Sequence, residues 1–192
     1  DYGLYVGATA GNASQIAGMA SEMAGLKMYL NTTHGPLELG SMKEWEDHLR
    51  HWPKDWPLVA HAEGRTTAAV IFQAHMAQRP IHIAHVSTEE EIEAIVKAKE
   101  AKMDVTCEVA PHHLFLLPAN FPEEVRANRS TVRPPLTSER DIEALWRRME
   151  YIDCFATDHA PHVITEKDGE KPPPGFPGLE TMLPLLLNAV NQ

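Results

Sequence analysis

The stretch "IHIAHVSTEEEIEAIVKAKEAK", residues 81–102, reads as one strand passing directly into one helix. Its first part is a short, nearly continuous apolar run, the pattern of a strand covered on both faces. Ser87 and Thr88 then offer capping hydroxyls, Glu89–Glu91 place acids in the first helical turn, and Lys97, Lys99 and Lys102 place cations in the last. Those charges suit the helix dipole, so the acidic run marks a helix start rather than a metal site.

The same unit recurs along the chain. Strands are expected at 25–31, 57–63, 81–87, 104–110 and 153–159, with a weaker one at 2–8. Helices are expected at 12–24, 41–51, 66–78, 88–102 and 137–150. Alternating strands and helices predict an α/β fold with a parallel sheet. Polar groups recur within or at the ends of successive strands: Lys27, His61, His85, Glu108 and Asp158. A closed (β/α)8 TIM-type barrel gathers strand ends around one site, whereas an open sheet spreads them in a row, so the barrel is favoured. About six strands are countable where a barrel has eight. The expectation is therefore one domain over residues 1–192, an incomplete piece of a barrel lacking the first strands and the C-terminal end.

Composition narrows the function. The chain has 192 residues, 43% of them apolar, and a formal net charge of −10. An acidic surface argues against nucleic acid and against anionic membrane as partners. No run is long enough to cross a bilayer and no signal peptide is evident, so a cytoplasmic location is expected. Three Asn-x-Ser/Thr matches, at Asn12, Asn31 and Asn128, then read as chance. Cys107 and Cys154 form no disulfide framework. The eleven histidines are the unusual feature.

Lys27 lies between Leu26 and Met28 in "GLKMYLN". A buried ammonium is costly, so the residue is either on an edge reaching water or is a neutral amine that has captured carbon dioxide. The carbamate so formed is a bidentate anion able to bridge two metal ions. His61 in "VAHAE" and His85 in "IAHVS" are imidazoles at matching strand ends, and with a carboxylate such as Asp158 they make a donor set that suits zinc. His82 is expected on the opposite strand face from His85, and His112 and His113 read as structural. His48, His51 and His75 read as members of solvated helix faces.

Together "GLKMYLN", "VAHAE", "IHIAHVS", "TCEVAPHHLF", "DCFATDHAPH" and "KPPPGFPGLETMLPLLL" resemble the dihydroorotases of the metal-dependent amidohydrolase superfamily, in particular the branch fused into animal multifunctional pyrimidine-synthesis proteins. The resemblance covers essentially the whole chain. It implies a (β/α)8 barrel with two Zn2+ ions and a carboxylated Lys27 between them. It implies His61 and His85 as ligands of one zinc, and Asp158 as a ligand of the other that also moves protons. Glu108 matches an auxiliary acidic metal position. Arg133, His162 and Pro174 match substrate-contacting positions, and Thr33 and His34 fall in a mobile loop over the substrate. The family also has a His-x-His pair on its first strand, which this sequence does not contain, and its animal branch has Cys where Ala84 stands, so the sequence leaves a third metal site open. The implied reaction is reversible cyclisation of N-carbamoyl-L-aspartate to L-dihydroorotate, in a homo-oligomer fused to carbamoyl-phosphate synthetase and aspartate transcarbamoylase domains. Rival readings are a dihydropyrimidinase or allantoinase, and a piece with no catalysis on its own.

Overall fold

A computed structural model describes residues 1–191. The chain divides into two compact units, one of residues 1–84 and 93–107, the other of residues 85–92 and 108–192.

The first unit is built on parallel strands β1 (Tyr5–Gly7), β2 (Gly25–Tyr29), β3 (Leu58–His61) and β4 (Ile81–Ile83), followed by the opening residues of β5 (Val105–Val109). Each strand pairs with the next in sequence, as βαβ units require. Helices α1 (Ala13–Ile16), α2 (Met42–His51), α3 (Arg65–Met76) and α4 (Glu89–Glu100) lie between them. Helix α2 starts on a reciprocal cap: Glu44 N donates to Ser41 Oγ at 3.4 Å, and Ser41 N donates to Glu44 Oε2 at 3.0 Å. The first residues of helix α4 belong to the second unit and form a similar cap, with Glu91 N donating to Thr88 Oγ1 while the Glu91 carboxylate accepts from the amides of Ser87 and Thr88. In the first unit Leu26, Met28, Ala60, Ile83 and Val70 are fully or almost fully buried. Each large member contributes roughly 1.5–3 kcal/mol.

Buried Arg79 also organises this unit. Its guanidinium donates to the carbonyls of Trp52, Pro53 and Trp56 in the "WPKDWP" turn, and burial pulls its pKa down to about 10.

One expectation fails here. His48 is not on a solvated face: it is buried, and its Nε2 donates to the carbonyl of Thr9 at 2.9 Å. His82 shares the sheet face of Lys27, two strands away: the registers Lys27↔Val59 and Val59↔His82 show it, because partners in a parallel pair point the same way. Its Nδ1 meets Thr106 Oγ1 at 2.8 Å.

In the second unit the last residues of β5 pair with β6 (Cys154–Phe155), in register Glu108↔Cys154. Five helices follow or flank them: α5 (Pro111–Phe115), α6 (Glu123–Arg129), α7 (Glu139–Arg147), α8 (Ile164–Lys167) and α9 (Met182–Val190). Helix α7 carries a second capping box between Ser138 and Asp141. No described helix is long and apolar enough to cross a membrane.

Candidate functional site

The candidate residues of the first unit share one sheet face. Lys27 is half-buried at the centre of β2, with Nζ 5.6 Å from the centre of the Tyr29 ring. Tyr29 is in register with His61, and their rings lie 5.9 Å apart. Tyr29 and Lys27 are two residues apart on one strand, so Lys27, Tyr29 and His61 all face the same way.

His61 is buried and donates from Nε2 to Glu63 Oε1 at 2.9 Å. Glu63 is itself fixed, because its amide donates to Asn31 Oδ1 at 2.9 Å. A carboxylate on one imidazole nitrogen fixes the tautomer and strengthens the other nitrogen as a donor to metal. Sequence reasoning missed Glu63, although the spacing His61-x-Glu63 returns a strand to the same face and was a usable signal.

The loop after β2 is tied at its base by Leu39 N donating to Tyr29 O at 2.8 Å. Thr32 Oγ1 donates to Glu38 Oε2 at 2.8 Å. Thr33 is half-buried and His34 is exposed.

In the second unit, His85 stands just past β4 and is 5% exposed. Its neighbour Val86 donates to Glu108 O at 2.9 Å. Glu108 is half-buried on β5. Partial desolvation, then the carboxylates of Glu108 and Asp153, push the Cys154 thiol upward. Asp158 lies three residues past β6, half-buried, after Ala156 N has closed the ladder on Val109 O.

The "DHAPH" and "KPPPGFPG" motifs are bound to each other. His159 Nδ1 accepts from the amides of Gly178 at 3.1 Å and Leu179 at 3.4 Å, and Ala160 N donates to Phe176 O at 2.9 Å. Glycine is required at both ends of that contact: a Cβ on Gly175 would lie 2.5 Å from Ala160 O, and one on Gly178 2.7 Å from Thr157 O. His162 and Pro174 meet directly, Nε2 donating to the Pro174 carbonyl at 3.2 Å, while Nδ1 lies 3.5 Å from Glu166. Arg133 is exposed and precedes a cis proline. Its segment is held by His113, whose Nε2 donates to Pro134 O at 3.1 Å. His112 and His113 are buried, with rings 4.4 Å apart, as a structural reading requires.

The residue types present fit zinc: imidazole and carboxylate are nitrogen and oxygen donors, and His61 already has the carboxylate partner that metal-bound histidines use.

The chain is 49% identical over 192 residues to the multifunctional protein CAD of Squalus acanthias, all of this chain against 8% of that protein. It is 36% identical over 144 residues to a dihydroorotase of Pyrococcus furiosus, 75% of this chain and 32% of that enzyme. Among solved structures it matches the inactive dihydroorotase-like domain of the Chaetomium thermophilum CAD-like multifunctional protein, at 29% identity and a TM-score of 0.79, over 99% of this chain and 53% of that one. Over these lengths the chain is similar to dihydroorotases and to the dihydroorotase-like domain of a CAD-like protein. Its fold is that of the amidohydrolase (β/α)8 barrels, matched over about half of the solved chain. The chain thus spans less than a third of the curated relatives it matches. No protein-family model matches it.

Proposed function

We propose that this dihydroorotase-like chain carries dihydroorotase chemistry, the reversible cyclisation of N-carbamoyl-L-aspartate to L-dihydroorotate with loss of water. The observation that most supports it is the placement of Lys27, His61, His85 and Asp158 on or just past four parallel strands, in a chain similar throughout to proteins of that name. Residues 1–192 are read as part of one barrel domain.

Lys27, as the free amine, would bond carbon dioxide through Nζ and release one proton, leaving a carbamate anion at this position. That group, with His61, His85, Asp158 and the auxiliary Glu108, would hold two Zn2+ ions. When bound, the metal supplies Lewis acidity toward the amide carbonyl and lowers the pKa of water. Asp158 then works as base and acid in turn, taking the proton of the attacking water and returning it to the departing ring nitrogen. Arg133 and His162 pair with the substrate carboxylate beside Pro174. Thr33 and His34 cover the site and exclude water. The expected setting is a cytoplasmic homo-oligomer fused to carbamoyl-phosphate synthetase and aspartate transcarbamoylase domains.

The inactive relative favours a second reading, a retained scaffold without turnover. One assay separates the readings. The full protein with zinc is offered L-dihydroorotate and dihydrouracil. Hydrolysis of dihydroorotate alone supports the proposal, hydrolysis of dihydrouracil instead replaces it with a dihydropyrimidinase, and no turnover of either leaves the scaffold.

A further inference from the structure

Lys167, on the short helix α8, is buried, with 8% relative exposure. Its ammonium donates to three carbonyls: Thr131 at 2.8 Å, Pro173 at 3.0 Å and Gly175 at 3.3 Å. A buried cation is tolerable when its N–H groups are matched in this way.

The acceptors are informative by position. Thr131 is two residues before Arg133. Pro173 and Gly175 bracket Pro174, whose own carbonyl is taken by His162 Nε2. Three successive carbonyls of the "PPG" turn are therefore held by two side chains of residues 162–167. Gly175 N also donates to Thr131 O at 3.0 Å, so that carbonyl serves both the turn and the ammonium. Burial lowers the Lys167 ammonium from its ordinary value, and Phe176 lies beneath it with the ring centre 5.5 Å from Nζ.

We propose that Lys167 is a positioning residue for substrate binding: it locks the Thr131–Arg133 segment to the Pro173–Gly175 turn and so places Arg133 and Pro174. This rests on the dihydroorotase reading only for the identity of the substrate. Lys167 touches backbone rather than substrate, so it acts on affinity and not on proton transfer.

The test uses the full protein with zinc. Lys167→Met removes the donors and nearly conserves the stem. KM for L-dihydroorotate is expected to rise on the order of tenfold, the worth of one lost hydrogen bond to a charged group. The kcat and zinc content are expected to hold, and the Gly175 amide should exchange faster with solvent. Arg133→Ala should raise KM by itself, and adding Lys167→Met to it should raise KM little further, because both changes remove the same placement. Unchanged KM, or fully additive effects, overturns the proposal. If Lys167→Met does not fold, Lys167→Gln takes its place in the same cycle, and unchanged KM or additivity overturns the proposal there too. If the wild-type protein does not turn over dihydroorotate, the functional reading fails. Exchange at Gly175 then decides the positioning role: faster exchange in the variant supports it, and unchanged exchange overturns it.

Discussion

His85 and Asp158 leave their strands in the same left-handed backbone conformation, with φ of 37° and 44°. Among the described residues two other non-glycine residues have positive φ, Gln78 at 51° and Lys102 at 60°. Those two follow helices α3 and α4, where a left-handed residue commonly ends a helix. His85 and Asp158 follow strands, where nothing in chain termination calls for it. Histidine and aspartate are among the residue types that tolerate this region, and unusual backbone at strand exits is associated with functional sites. The turn takes each side chain out of its strand's alternation and aims it independently of the sheet.

Asp158→Asn isolates chemistry from conformation. Asparagine accepts a left-handed backbone and keeps an oxygen ligand, but an amide neither takes nor gives a proton at neutral pH. The full protein reconstituted with zinc should keep its stability and its affinity for dihydroorotate while turnover falls by about 10²–10⁴-fold. Asp158→Ala should differ in kind, adding a backbone cost of about 1–2 kcal/mol visible in urea unfolding. Normal turnover in a fully metallated Asp158→Asn protein would assign the proton to another group.

Lys27 and Glu63 should separate in metal titrations. Lys27→Ala would remove the carbamate proposed at this position, so zinc and activity are expected to go together. Glu63→Gln keeps a hydrogen-bond acceptor for His61 Nε2 but removes its charge. Zinc affinity should fall about 10–100-fold, with activity recovered at high zinc. Equal zinc affinity in Glu63→Gln and wild type would make the carboxylate a packing group.

Gly175 has φ of 142°, and a Cβ there would strike the Ala160 carbonyl. Gly175→Ala should cost about 1–3 kcal/mol, because backbone rather than a flexible side chain must give way. Gly11→Ala, with nothing within 4 Å of the added carbon, should stay within about 0.5 kcal/mol. Urea midpoints of the two variants check the contrast, and similar midpoints would show that the "GFPG" turn can move.

Most of the strands were legible because their apolar runs are nearly continuous. Helices α2, α4 and α7 were legible because caps and charges bracket them. Helix α5 was not, since "PHHLF" is too short for a period and its proline reads as a break, although proline suits a first helical turn. His48 was recoverable: Trp45, His48 and Leu49 share one helix face at the spacing of a buried stripe. Lys167 was not, because nothing local distinguishes it from Lys171, and its burial is set by carbonyls as far away in sequence as Thr131.

His112 gives the second unit a built-in sensitivity to acid. It is buried, neither ring nitrogen has a hydrogen-bond partner among the described residues, and it borders an apolar cavity of about 640 Å³ alongside Phe176 and Leu185. Burial first, and then the neighbouring His113, pull its pKa from 6.5 to about 3. Between those values the unfolded chain binds a proton that the folded chain refuses. Stability from this group is therefore complete above about pH 6.5 and is lost as pH falls toward 3, at up to about 1.4 kcal/mol per pH unit. His112→Leu removes both the titration and the unmatched polar atoms. At neutral pH the variant should be as stable as wild type or more so, by about 1 kcal/mol. Its unfolding free energy, measured in urea from pH 7 to pH 4, should fall less steeply than that of wild type. Parallel pH profiles would show that the imidazole is protonated within the folded protein, and the acid sensitivity would then belong to other groups.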